Sequence, residues 1–160
     1  MAGRWREWLV VRWLFLVHSA KEKRGTVKTL VRNISNTVTE GIRVVTESFY
    51  VPERSDPLSE QYFFAYHIRI TNEGSEPAKL VSRHWVITDS IGEVQEVRGP
   101  GVVGEQPRLQ PGESFEYTSA CPLETPVGSM QGEYRMLRDD GRTFEVEIGE
   151  FMLCMRSLLN

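Results

Sequence analysis

The residues with most chemistry in them lie between Arg98 and Arg108. Gly99, Gly101 and Gly104 stand in a Gly-x-Gly-x-x-Gly spacing, followed by Glu105-Gln106-Pro107 and flanked by the two arginines. In a dinucleotide-binding fold this spacing makes a tight turn that opens a helix, and the helix N-terminus receives the pyrophosphate. Here Pro107 and Pro111 leave no room for a helix, and no strand–helix–strand pattern surrounds the loop. A P-loop is excluded too, because no Gly-Lys-Ser/Thr follows. Two readings remain. In one, successive backbone N–H groups converge into an anion-binding nest, with Arg98 and Arg108 adding charge-assisted bonds to a phosphate. Glu93, Glu96 and Glu105 oppose that reading by like charge. In the other, the loop is a connection that crosses between sheets, its glycines easing the backbone and Pro100 stiffening it.

Other chemically capable residues are scattered. His67 and His84 are candidate metal ligands, but no third ligand stands at metal-binding spacing, and no resident metal or cofactor is expected. Cys121 lies between Ala120 and Pro122 with no adjacent base to lower its pKa, so it reads as a structural thiol rather than a nucleophile. Asp139-Asp140 reads as a turn, and Glu145 and Glu147 alternate with Phe144, Val146 and Ile148, which points them outward. Arg83 shares strand parity with Val81, Trp85 and Ile87, so either a bulge intervenes or its guanidinium meets a buried acceptor.

The elements that must hold these residues are strands. In Tyr62–Ile70, one face carries Tyr62, Phe64, Tyr66, Ile68 and Ile70, and the other Phe63, Ala65, His67 and Arg69. Ile42–Val51, Lys79–Thr88, Glu93–Arg98, Ser114–Ser119, Gly132–Leu137 and Thr143–Ile148 are the other candidates, rich in β-branched and aromatic residues. Asn72-Glu-Gly74, Asp89-Ser-Ile-Gly92, Gln110-Pro-Gly112 and Asp139-Asp-Gly141 supply turn chemistry between them, and Asp140-Gly141 signals a hairpin. About seven short strands and no helical stripe predict an all-β antiparallel sandwich of immunoglobulin or fibronectin type III kind, with Trp85 in its core.

Charge is unevenly spread. Residues 1–40 carry eight Lys or Arg and three acids, whereas residues 41–160 carry eleven and nineteen, giving +5 and −8. An acidic body disfavours nucleic acid. The apolar run Trp8–Val17, broken by Arg12 and preceded by Arg4 and Arg6, is too short to span a bilayer. It reads as signal-peptide-like, as an amphipathic surface helix, or as sequence upstream of the true start. Lys21–Asn36 reads as a polar linker, so residues 1–37 form a poorly structured or helical arm and 38–156 the domain. No membrane contact is expected of the main domain. Two cysteines, Cys121 and Cys154, make no disulfide framework, and a reducing, cytoplasmic setting is the default.

From about Val38 to about Leu153 the chain resembles the ApaG family. The resemblance rests on Ser82-Arg-His-Trp85, Ile87-Thr-Asp89, the run Glu96 to Pro107, Pro111 to Ser119, Cys121-Pro-Leu123, Thr125-Pro126 and Gly128-Ser-Met130. It implies a small fibronectin type III-like sandwich, commonly encoded beside a diadenosine tetraphosphate hydrolase and linked to cobalt resistance and magnesium efflux. Similar domains in an F-box protein and in a DNA polymerase delta-interacting protein imply partner binding. No catalytic residues carry over. One site for both cations is chemically awkward, since magnesium prefers carboxylate and water while cobalt accepts imidazole. The expectation is a non-enzymatic binding module with a protein partner at Arg98, Gly99, Gly101, Val102, Val103 and Gly104. A phosphate, pyrophosphate or dinucleotide-polyphosphate ligand at the same loop is the alternative. An exposed sheet edge also permits a homodimer.

Overall fold

A computed structural model of the chain describes residues 33–155, all within the unit Arg32–Asn160. The expectations placed on the apolar run Trp8–Val17 and on most of the arm lie outside the described residues. The described residues form nine strands: β1 (Ile34–Thr39), β2 (Ile42–Tyr50), β3 (Tyr62–Asn72), β4 (Ala78–Asp89), β5 (Val94–Pro100), β6 (Arg108–Leu109), β7 (Ser114–Leu123), β8 (Val127–Arg138) and β9 (Thr143–Cys154). They form two antiparallel sheets, ordered β1-β2-β3-β7 and β5-β4-β8-β9, with β6 also pairing β4. This is the expected sandwich, with two strands more than the sequence suggested.

The first sheet's inner face comes largely from the aromatic strand. Phe64, Tyr66, Ile68 and Ile70 are all buried, while His67 and Arg69 lie on the outside. Trp85, from the opposite sheet, meets Tyr66, Phe151 and Tyr134 edge-on or steeply inclined at centroid distances of 5.6, 6.1 and 6.3 Å. Such geometry sets the positive ring edge against a neighbouring negative face. The hairpin at Asp140-Gly141 joins β8 to β9, with the Arg138 amide donating to the Arg142 carbonyl at 2.8 Å.

Three local departures from simple alternation explain the differences from expectation. β1 begins inside the stretch read as a polar linker. Its apolar residues Ile34 and Val38 face outward, while hydroxyls face the neighbouring strands. Ser35 bonds Thr46 at 2.8 Å, Thr37 donates to the Glu147 carbonyl at 2.8 Å, and Thr39 accepts from the Glu147 amide at 3.2 Å. Hydrogen bonds rather than burial hold this strand, so its hydropathy pattern is silent. In β9, two residues (Gly149 and Glu150) answer one residue of β8, and this bulge resets the parity. Phe151 and Leu153 can then face the core together with Phe144, Val146 and Ile148, which carries the strand past its expected end. The third departure is a bulge in β4 at Val81, between the pairs Leu80–Met136 and Ser82–Arg135.

Candidate functional site

β5 and β6 both pair with β4, end to end along one edge of the second sheet. The glycine loop is the excursion between them. It therefore does not cross between sheets, as the sequence suggested; the crossing comes after β6. The loop leaves the edge opposite the Val81 bulge, where the Val81 carbonyl accepts from the Gly101 amide at 2.8 Å and from Gln106 Nε2 at 2.8 Å. The register that the bulge frees on β4 is thus taken up by the loop's two ends.

Inside the loop, the amides of Val102 and Glu105 donate to each other's carbonyls at 2.8 and 2.9 Å. The two residues between them, Val103 and Gly104, have φ of 47° and 79°. Positive φ at both central positions defines a type I′ turn, which favours Asn-Gly and penalises a β-branched residue at the first position. Val102 points into the sandwich and is 0% exposed, whereas Val103 is 49% exposed at the tip. Val102 plugs the core and is no part of any surface. A Cβ on Gly101, whose φ is 57°, would overlap the Glu105 carbonyl oxygen. The amides of Gly101, Val102 and Glu105 are thus already bonded within the protein, which removes most donors from the anion nest considered above.

Gly99 has a different reason to be glycine. It faces Arg83 across the β4–β5 pair, and a Cβ there would lie 3.2 Å from Arg83 Nη1. Arg83 Nη1 donates to the carbonyls of Pro100 at 3.1 Å and Gly101 at 2.7 Å. Of the two resolutions anticipated for Arg83, the second is present: the bulge lies before it, at Val81, and leaves it in register with Trp85, while its guanidinium meets backbone acceptors. Its charge also bears on a buried tyrosine cluster that sequence reasoning missed. Tyr117 and Tyr134 share a hydroxyl–hydroxyl hydrogen bond, and burial pushes both phenols well above the ordinary tyrosine range. Burial also pushes Tyr66 up to about 12, against a lowering hydrogen bond with Ser119. Three tyrosines with inward parity on β3, β7 and β8 were the available signal.

On the outer side of the same sheet, Ser82, Arg83, His84, Arg98, Gly99, Glu133, Arg135 and Glu145 line a cavity of about 210 Å³. Its charges are mostly matched. His84 Nε2 lies 2.8 Å from Glu96, and Nδ1 lies 3.3 Å from Glu133. Arg98 reaches Glu96 at 3.2 Å, and Arg135 reaches Glu145 at 2.7 Å. The hydrogen bonds from His84 and then Arg98 hold the Glu96 carboxyl below the usual carboxylate range.

The remaining candidates are dispersed. His67 lies on the outer face of the other sheet, 3.1 Å from Thr118 Oγ1 and 3.5 Å from Glu116. The two histidines are therefore on opposite outer faces and share no site. Among the described residues, no group of three or more His, Cys, Asp or Glu is placed to hold a metal ion. Cys121 and Cys154 are both free thiols, and burial pushes Cys121 up to about 12, which makes it inert. Asp139 pairs with Arg108, and Glu145 and Glu147 face solvent. No helix among the described residues is long and apolar enough to cross a membrane.

Fold and loop together define a fibronectin type III-like β-sandwich whose glycine motif is an edge-strand insertion. The family model described as the ApaG domain matches residues 52–138. Protein ApaG of Bordetella pertussis is 60% identical over 111 residues, covering 69% of this chain and 85% of that protein. Protein ApaG of Anaeromyxobacter dehalogenans is 54% identical over 127 residues, covering 79% and 100%. A crystal structure of an ApaA protein from Bordetella pertussis superposes with a TM-score of 0.70 at 55% identity, covering 79% of this chain and 98% of that one. A structural-genomics X-ray structure gives 0.71 at 43% identity, covering 75% and 91%. The chain belongs to the ApaG family.

Proposed function

We propose that this ApaG-family protein is a non-enzymatic recognition module that binds a protein partner along the edge formed by β5 and the glycine loop. The observation that carries the reading is Val103. A half-exposed apolar residue is held in a left-handed conformation that β-branched side chains avoid, at the tip of a loop anchored by a core residue. Strain of this sort is retained where the surroundings over-determine it, commonly at recognition sites. The reactive side chains of the described residues argue in the same direction: the Cys121 thiol is buried, His67 and His84 are apart, and the acids are paired or solvated. The link to divalent cations that the family resemblance implies then runs through a partner rather than through a resident metal.

The test is affinity capture with the tagged full chain, comparing wild type with Val103→Asp. A stoichiometric partner, whether another protein or a second copy of the chain, lost in V103D while the melting temperature holds, supports the reading. Recovery of chaperones alone overturns it.

A second reading is favoured by one observation: Arg98 and Arg135 both line the 210 Å³ cavity, a volume suited to phosphate or pyrophosphate. In this version the arginines, not the loop amides, hold the anion. Adding pyrophosphate or diadenosine tetraphosphate then shifts the NMR signals of His84, Arg98 and Gly99. Silence there at millimolar ligand removes the idea.

A further inference from the structure

We propose that the partner along β5 is a second copy of this chain, joined to it by antiparallel β5–β5 pairing about a two-fold axis at Val97. The inference rests on the reading of this edge as the recognition surface. β5 is an end strand of its sheet, hydrogen-bonded on one side to β4, and nothing among the described residues pairs with its other side. The Asp89 amide donates to the Glu93 carbonyl at 3.0 Å, and the Gly101 amide donates to the Val81 carbonyl at 2.8 Å. Both pairs belong to the register that sets Arg83 opposite Gly99, so the odd-numbered residues of β5 bond β4. Alternation in an antiparallel ladder then turns the N–H and C=O groups of Val94, Glu96 and Arg98 outward.

An antiparallel partner must match outward residues with outward residues. A two-fold at Val97 does so, setting Glu96 opposite the second copy's Arg98, and Arg98 opposite the second copy's Glu96. Shifting the register by one step either way sets Glu96 against Glu96 or Arg98 against Arg98, which like charge penalises. The strand Glu96-Val97-Arg98 is thus complementary to itself in one register, as an isologous interface requires. The same register lays Val94 against the second copy's Pro100. It also brings the turn bearing Ile91 toward the loop bearing Val103 of the other copy. Ile91, Val94 and Val103 are 77%, 59% and 49% exposed, so pairing gives cover to three of the most exposed apolar residues among those described.

The test is sedimentation of the purified full chain with three variants: Glu96→Arg, Arg98→Glu and the double exchange. Wild type is expected to show a species of twice the 18.4 kDa chain mass. Each single variant turns two opposite-charge pairs into two like-charge pairs, and should weaken the dimer by roughly tenfold or more. The double variant is again self-complementary and should recover wild-type affinity. Independently, Val97→Cys should form an intermolecular disulfide at position 97 on mild oxidation, because a non-hydrogen-bonded pair sets Cα atoms about 4.5 Å apart, within disulfide reach. A wild-type chain that stays monomeric at its highest soluble concentration overturns the proposal. So does a dimer indifferent to the single exchanges. If the chain is monomeric and yet captures a V103D-sensitive partner, the self-pairing falls and the recognition reading stands.

Discussion

The three glycines of the loop should respond very differently to alanine, because each is glycine for a different reason. In Gly101→Ala the new Cβ meets the Glu105 carbonyl oxygen, which is backbone and cannot step aside. Relief requires opening the Val102–Glu105 hydrogen-bond pair and lifting Val102 from the core. A left-handed alanine, two lost hydrogen bonds and partial exposure of a buried valine together amount to roughly 3–6 kcal/mol. Gly104 also has positive φ, at 79°, but nothing lies within 4 Å of its Cβ position. Gly104→Ala should therefore cost only the conformational term, about 1–2 kcal/mol. Gly99→Ala meets only the side-chain end of Arg83, at 3.2 Å, and lies in a strand where glycine is itself unfavourable, so it should fall within about 1 kcal/mol of wild type. Urea unfolding with linear extrapolation reads all three, and equal slopes would verify that only stability has changed. At about 4 °C per kcal/mol, Gly101→Ala should also lower the melting temperature by at least about 12 °C. Equal costs at the three positions, or a Gly101→Ala variant as stable as wild type, would refute the structural account of the motif.

Val103→Asn replaces a strained residue with one that tolerates the left-handed region; relief of about 1–2 kcal/mol set against about 1 kcal/mol of lost burial leaves it at or above wild-type stability. Val103→Thr keeps the branch and should melt lower, and the reverse order would contradict strain at this position. Native-state labelling with a maleimide should modify Cys154 and spare Cys121 until the chain unfolds; equal rates would show that the Cys121 thiol is not sequestered. The phenols of Tyr66, Tyr117 and Tyr134 are raised by burial above their unfolded value. Their contribution is complete below about pH 10 and is lost as pH climbs toward the raised values, so alkaline unfolding and ionisation of these three should coincide in ultraviolet absorbance. Ionisation of all five tyrosines with the fold intact would refute the buried cluster.

Strands β2, β3, β4, β7, β8 and β9 were legible because one face of each carries apolar side chains at a spacing of two, and that face is buried. β1 was not, since its neighbours grip Ser35, Thr37 and Thr39 by hydrogen bonds, and hydroxyl-bearing residues resemble linker. The far half of β9 was hidden because a bulge at Gly149 reverses parity. Pattern reading assumes no such interruption. Among the site residues, Arg83 announced its own anomaly, being a charge at an inward position, and Gly99 is the space that resolves it. Val102 and Val103 were alike in sequence. Their fates diverged because a type I′ turn points one inward and the other out.

The sequence alone determined the all-β sandwich, its aromatic core around Trp85 and its membership of the ApaG family. Alternation and turn chemistry are local properties, and a long run of specific motifs survives without coordinates. The meaning of Gly99, Gly101 and Gly104 was decided only in three dimensions. Their spacing says that the backbone must bend or be approached closely, but not by what. In the folded chain the answers are Arg83, which only strand pairing brings near, the Glu105 carbonyl, which the turn at Val103-Gly104 folds back onto Gly101, and a free turn. The same pairing spends the loop amides on Val81, Val102 and Glu105. It thereby turns a pattern associated with phosphate into the anchor of an exposed sheet edge.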